Sequence, residues 1–301
     1  MFQKPLLLAR VAAVTFLLVV LLLAAVFSQP KSRPGSANQS TLVSPTLVFA
    51  ITGEPNEYQM DAVTIFSGRQ FMPPYAEEQK DAQKKFGDKY FAADRKYRMI
   101  FGGGAAGTVT VTKWSEGCNN IHSEVSTVTS ARLGGQVRAL ATNDGTLGTR
   151  ESSRRAPSDN ERTAVLALVK SIYSQRRTPS NQIGSIKVTN LTATDLDGDG
   201  RQEMIGSFAL TSKNKFQRDL FLIAKSAGTA MRADFVKFQA YQPPPEGFLS
   251  SIDFIDQLDV DKNGTGEVFA VQGGFDGYAY LVFRKVAGQW RQVFQGMGDA
   301  C

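Results

Sequence analysis

Two cysteines, Cys118 and Cys301, and one histidine, His122, are all this 301-residue chain offers of the residues that build most zinc and thiol sites. Two cysteines are too few for a disulfide scaffold or a four-cysteine zinc site, and leave only one bridge open to them in an oxidising compartment. With a single histidine, any serine or cysteine nucleophile would have to recruit His122 as its base, and no GxSxG elbow accompanies it. His122 therefore reads as a polar strand residue near Trp114 and Cys118. Charge of one sign is also scarce: 34 Lys+Arg against 28 Asp+Glu leave +6, a mild attraction to anionic surfaces that specifies no partner.

Long apolar runs are missing except for one. Val11 to Phe27 carries no charge and follows Lys4 and Arg10. A signal-peptide core takes about 7–15 apolar residues and a spanning helix about 17–25, so the run fits a signal anchor, with residues 6–27 in the membrane, or a signal peptide cut after Ser28. Either way the bulk of the chain is expected outside the cytoplasm, periplasmic or at the cell surface. Residues 28–45 are rich in Pro, Ser and Asn and hold no aromatic residue, the composition of a disordered tether.

The remainder, with an overall apolar content of 42%, has enough to build a core. Thr46–Gly53, Met60–Gly68, Lys96–Gly102 and Thr108–Trp114 are β-branched or aromatic runs closed by Gly or polar residues, and read as strands. A charged stretch at Ala76–Lys85 and a segment at Asp159–Gln175 read as helices. The second has Ser158 and Glu161 as a capping box and Val165, Leu168, Val169, Ile172 and Tyr173 on one face. Gly102, Gly104 and Gly107 spell GxGxxG, but alternating TVTVTKW follows where a nucleotide fold needs a helix, so the glycines mark a hairpin. Lys84–Arg98 interleaves cations with Phe86, Tyr90, Phe91 and Tyr97; on an exported chain this is a solvated face anchored by its aromatics, and no nucleic-acid partner is expected.

After the second helix the chain repeats. DLDGDGRQE, Asp195 to Glu203, returns 64 residues later as DVDKNGTGE, Asp259 to Glu267, and each is flanked by strand-like runs. Asp195, Asp197, Asp199 and Glu203 align with Asp259, Asp261, Asn263 and Glu267, and Gly200 aligns with Gly264. Oxygens at positions 1, 3 and 5 of a tight loop converge on one centre, a carbonyl at 7 joins them, and the carboxylate at 9 closes the shell. No nitrogen or sulfur ligand is present, which disfavours zinc and copper and suits Ca2+. Asn263 leaves the second loop one charge short and so weaker. Position 12 is Gly206 or Ala270, not the glutamate of an EF-hand. The same residue types also build ordinary Asx turns, and a sequon falls on Asn263, as on Asn38 and Asn190.

DLDGDGRQEMIGSF resembles the calcium loops of FG-GAP and VCBS repeats, which form integrin-alpha-like propeller blades. The resemblance implies side-chain ligands from Asp195, Asp197, Asp199 and Glu203 with the Arg201 carbonyl, then from Asp259, Asp261, Asn263 and Glu267 with the Thr265 carbonyl. The expected organisation is an anchor or signal at 1–27, a tether at 28–45, a β-rich region at 46–142, a polar linker at 143–157, and a helix with two calcium-loop repeats at 158–301. The expected fold is mainly β, antiparallel blade-like units, in one arrangement a small propeller, with one or two packing helices; α+β is the alternative. The expected function is calcium-supported binding, adhesion or structure in the cell envelope, with an envelope protein or polysaccharide as partner. A hydrolase acting on polysaccharide or phosphoester, with the loops as scaffold, is the alternative.

Overall fold

The computed structural model describes residues 45–76, 79–212, 216–228, 230–241, 251–274, 277–296 and 298. The apolar segment 6–27 and the tether up to residue 44 lie outside them; among the described residues no helix is long and apolar enough to cross a membrane.

Residues from Pro45 onward form one compact unit, mainly β and antiparallel. Strand β1 (Thr46–Glu54) turns at Pro55-Asn56, with Asn56 at φ 73, into β2 (Glu57–Ser67), which ends in a short hairpin partner, β3 (Gln70–Met72). Then follow α1 (Lys80–Tyr90), β4 (Lys96–Phe101), β5 (Gly104–Glu116), β6 (Ile121–Thr129) and β7 (Ala139–Thr142). The strands run β1-β7-β4-β5-β6-β2, and β2 pairs back onto β1, so six strands close into a barrel without a free edge between them. Phe49, Ile51, Met60, Met99 and Val109 share one face of it and pack in one core. The three glycines at 102–104 make the β4–β5 hairpin, with Gly102 at φ +63 and Gly103 at φ +77.

Helix α1 starts and ends later than the sequence suggests, because Phe86 and Tyr90 carry its apolar face into the lysine-rich run. Phe86 packs on Tyr75 at 5.0 Å and on Phe91 at 5.6 Å. Gly87 is dictated by packing: a Cβ there would meet the Trp114 ring at 2.8 Å. Cys118 is disulfide-bonded; the only other cysteine of the sequence, Cys301, lies outside the described residues.

Helix α2 (Asp159–Gln175) occupies the expected residues, followed by the single turn α3 (Ser180–Ile183). Two four-stranded meanders then follow: β8 (Lys187–Thr194), β9 (Glu203–Ser212), β10 (Phe216–Ala227) and β11 (Ala230–Tyr241); and β12 (Ile252–Leu258), β13 (Glu267–Gly273), β14 (Tyr278–Val286) and β15 (Gln289–Gly296). The sequence repeat survives in the pairing: Thr194 faces Glu203 at the base of the first loop, as Leu258 faces Glu267 at the second. The arrangement is not a clear propeller. Residues 46–142, expected to supply blades, close into the barrel.

The second meander is buried on both faces. Phe269, Val282 and Phe294 join the barrel core, while Val268, Ala270, Leu281 and Phe283 pack with Ile205, Phe221 and Ile223 of the first meander. Phe221 stacks on Phe283 at 5.1 Å. Two buried faces explain why β13 and β14 read as unbroken apolar runs instead of alternating. The other side of the first meander is covered by α2, through Val165, Val169, Ile172 and Tyr173.

The α2 cap is reciprocal. The Ser158 hydroxyl accepts from the Glu161 N–H at 3.3 Å, and the Glu161 carboxylate accepts from the Ser158 N–H at 2.7 Å and from both Arg155 guanidinium nitrogens at 2.7 Å. The hydrogen bonds from Arg155 are the main reason the Glu161 carboxyl falls from 4.5 to about 2. A depressed carboxyl stabilises the fold above its unfolded value and loses that contribution as pH drops from about 4.5 toward 2. Ser158→Ala is expected to cost about 1 kcal/mol. In urea melts, Glu161→Gln should be destabilised at pH 7 and match the wild type at the acid end of that window.

Candidate metal centres

The β8–β9 loop, Asp195–Glu203, and the β12–β13 loop, Asp259–Glu267, are built alike. Each passes through the left-handed region at its fourth residue, Gly198 at φ +73 or Lys262 at φ 58, and at its sixth, Gly200 at φ +82 or Gly264 at φ +95. These reversals wrap the backbone around the first carboxylate. Asp195 accepts from the N–H groups of Gly198 at 2.7 Å and Gly200 at 2.9 Å; Asp259 accepts from Asn263 and Gly264, both at 3.0 Å. The ninth residue ties the loop closed: Glu203 accepts from Leu196 N–H, and Glu267 from Val260 N–H, each at 2.8 Å.

The result is two carboxylate trios. Asp195, Asp197 and Glu203 each place an oxygen within 4.8 Å of the others, and Asp259, Asp261 and Glu267 do the same, a spacing that could hold a metal ion. Asp199 and Asn263 stand outside these trios. Each turns its Oδ1 to the backbone N–H two residues on, of Arg201 at 2.7 Å and Thr265 at 2.8 Å. Arg201 is exposed and Thr265 half-buried, and the expected role of each rests on its carbonyl alone.

Electrostatics distinguishes the two. Burial, reinforced by Asp197, Asp195 and Asp199, pushes the Glu203 carboxyl up to about 7, a sign of negative charge held close without enough compensation. The Asp197 Oδ1 is buried without a hydrogen-bond partner, and the nearest cation, Lys285, stays 3.8 Å from Oδ2. In the second loop Arg284 from β14 reaches Glu267 at 2.9 Å and lies 3.7 Å from Asp261. Burial still raises Glu267 to about 7, with Arg284 pulling it down. The strand register makes Lys225 the first meander's counterpart of Arg284, since Ala224 faces Met204 as Phe283 faces Val268. Lys225 pairs instead with Asp234 at 3.2 Å. The first loop thus has four carboxylates and an orphan acceptor, whereas the second has three with an arginine already seated on one.

The loops are neighbours. Arg150, in the linker, donates to the Gly264 carbonyl and lies against Gly198, where an added Cβ would sit 3.1 Å from its Cζ. A cavity of about 450 Å³ opens between them, lined by Arg150, Ser153, Gln257, Asp195 and Asp259 among others. Gln257 supports the first loop by donating to the Asp195 carbonyl at 2.8 Å. Arg150, Gln257 and Arg284 carry no sequence signal, since their roles arise only from pairing between distant strands. His122 shares a 3.0 Å hydrogen bond with Ser115 on an exposed face of the barrel.

No family model, curated protein or solved structure matches this chain. Its functional reading rests on the loops.

Proposed function

We propose that this chain is an exported calcium-binding β-repeat protein of the cell envelope, anchored through residues 6–27, with a binding, adhesion or structural role. One observation carries the reading: the same nine-residue acidic loop, with the same backbone reversals and the same carboxylate trio, occurs once in each meander. Each meander with its loop is a blade-like unit of FG-GAP/VCBS type. An all-oxygen set in a flexible loop suits Ca2+ over the smaller and stricter Mg2+. The ligands are Asp195, Asp197 and Glu203 in one loop and Asp259, Asp261 and Glu267 in the other. Asp199, Asn263 and the carbonyls of Arg201 and Thr265 would supply the remaining oxygens. Extracellular modules work with sites of about 10⁻⁴–10⁻³ M, so two modest sites fit an exported protein.

Outside the loops, Asp61 and Asp253 share one cavity, but Asp61 accepts from two tyrosine hydroxyls and Asp253 lies beside Arg138. The binding reading rests on the repeated loops, not on this pair. Protease added to cells with an opened outer envelope and a sealed cytoplasmic membrane is expected to digest the chain, faster with EDTA than with calcium. Cleavage seen only after the cytoplasmic membrane is lysed would contradict the envelope assignment.

A further inference from the structure

A second cavity, of about 290 Å³, opens between the barrel and the second meander, and none of its lining residues belongs to either acidic loop. On one side Asp61 of β2 accepts from the hydroxyls of Tyr280 at 2.6 Å and Tyr278 at 2.8 Å. On the other, Arg138, just before β7, approaches Asp253 of β12 no closer than 3.9 Å, with side chains 18% and 15% exposed. That distance balances charge but is too long for a hydrogen bond. Arg138 Nη1 and Asp253 Oδ1 are buried with no hydrogen-bond partner. Burial raises the Asp253 carboxyl in spite of Arg138 beside it.

These features narrow the ligand. With Arg138 balanced by Asp253, the cavity has no surplus positive charge to hold an anion. Asp61 carries the lining's one unbalanced charge, negative, and two phenolic donors already stabilise it there. Arg138 donates, Asp253 accepts, and Thr52 and Gln59 line the same cavity, a mixed set that a ligand hydroxyl, donor and acceptor at once, can answer. Tyr278 and Val271 add an aromatic and an aliphatic surface to the lining. Small-molecule pockets run from about 300 Å³ upward, so this one holds a single small ring.

We propose that this cavity binds a neutral, hydroxyl-rich ligand, one sugar residue, with a ligand hydroxyl bridging Arg138 and Asp253 and its C–H face on Tyr278. The proposal deepens the binding role assigned above by naming a ligand class, and it uses neither calcium loop.

The test is saturation-transfer NMR and calorimetry on the full chain with the methyl glycosides of glucose, galactose, mannose and N-acetylglucosamine, against inorganic phosphate and glycine. At least one glycoside is expected to bind with a millimolar Kd. Arg138→Gln and Asp253→Asn should each weaken it about tenfold. Thr52→Tyr, which fills the cavity from its half-buried edge, should abolish binding even if the other two variants misfold. Lys84→Ala, on the exposed face of α1, should leave it unchanged. The proposal is overturned if no glycoside binds to chain with a native melt, if binding survives Thr52→Tyr, or if only phosphate or glycine binds. Sugar binding without calcium uptake would refute the calcium loops alone, and calcium uptake without sugar binding would refute this site alone.

Discussion

Removing calcium with EDTA is expected to lower the melting temperature of the chain by about 5–10 °C. A site held at a hundredfold excess over its Kd contributes about 2.7 kcal/mol, and a domain of this size shifts by about 2–4 °C per kcal/mol. Most of the effect should come from the first loop, where Asp197 keeps an unpartnered oxygen, and less from the second, where Arg284 already sits on Glu267. The Asp197→Ala, Asp261→Ala double variant should ignore both calcium and EDTA. Its melt should lie at or slightly above that of the chelated wild type, because deleting one carboxylate relieves repulsion among the rest. Differential scanning calorimetry reads all four conditions.

Arg154→Met is expected to cost about 3–5 kcal/mol, the range for leaving a buried charge without its partner. The Arg154 guanidinium lies 3.5 Å from Asp256, and the two side chains are 6% and 0% exposed. It also donates to the carbonyls of Arg138 at 2.8 Å and Ile255 at 2.6 Å, and is flanked by Phe101 and Phe254, each 4.9 Å from its Cζ. Asp256 in turn accepts from the Gly102 N–H at 2.8 Å. One ion pair thus ties the β4–β5 hairpin, the linker and β12 together. Adding Asp256→Leu should recover only part of the loss, since the N–H groups of Gly102 and Gln257 would then lose their acceptor. Urea unfolding checks this; a loss under about 1 kcal/mol for Arg154→Met would mean the pair is not buried as described.

Much of this molecule could be read from its residues wherever the signal is local. Helix α2 begins and ends as its capping box and 3.6-residue stripe require. The acidic loops were visible because Asp, Gly and Glu at fixed spacing leave few other conformations, and the 64-residue recurrence placed both at once. Barrel closure was not legible. It depends on β1 pairing with β7 and on β2 pairing with β6, contacts across most of the 46–142 region that strand composition does not encode. Strands counted without their partners suit a blade and a barrel equally, which is why the sequence alone points to blade-like units. The charged residues that tune the loops were hidden for a related reason: Arg284 ends an apolar strand and Arg150 sits in a polar linker, and neither position implies a carboxylate partner.

Calorimetric titration of calcium into the EDTA-stripped full chain, with magnesium as comparator, tests the central claim most directly. Two ions should bind, the tighter event disappearing in Asp197→Ala and the weaker in Asp261→Ala, with magnesium weaker at both. A natively folded chain that takes up no calcium, or one that binds it unchanged after both substitutions, would contradict the assignment of these loops.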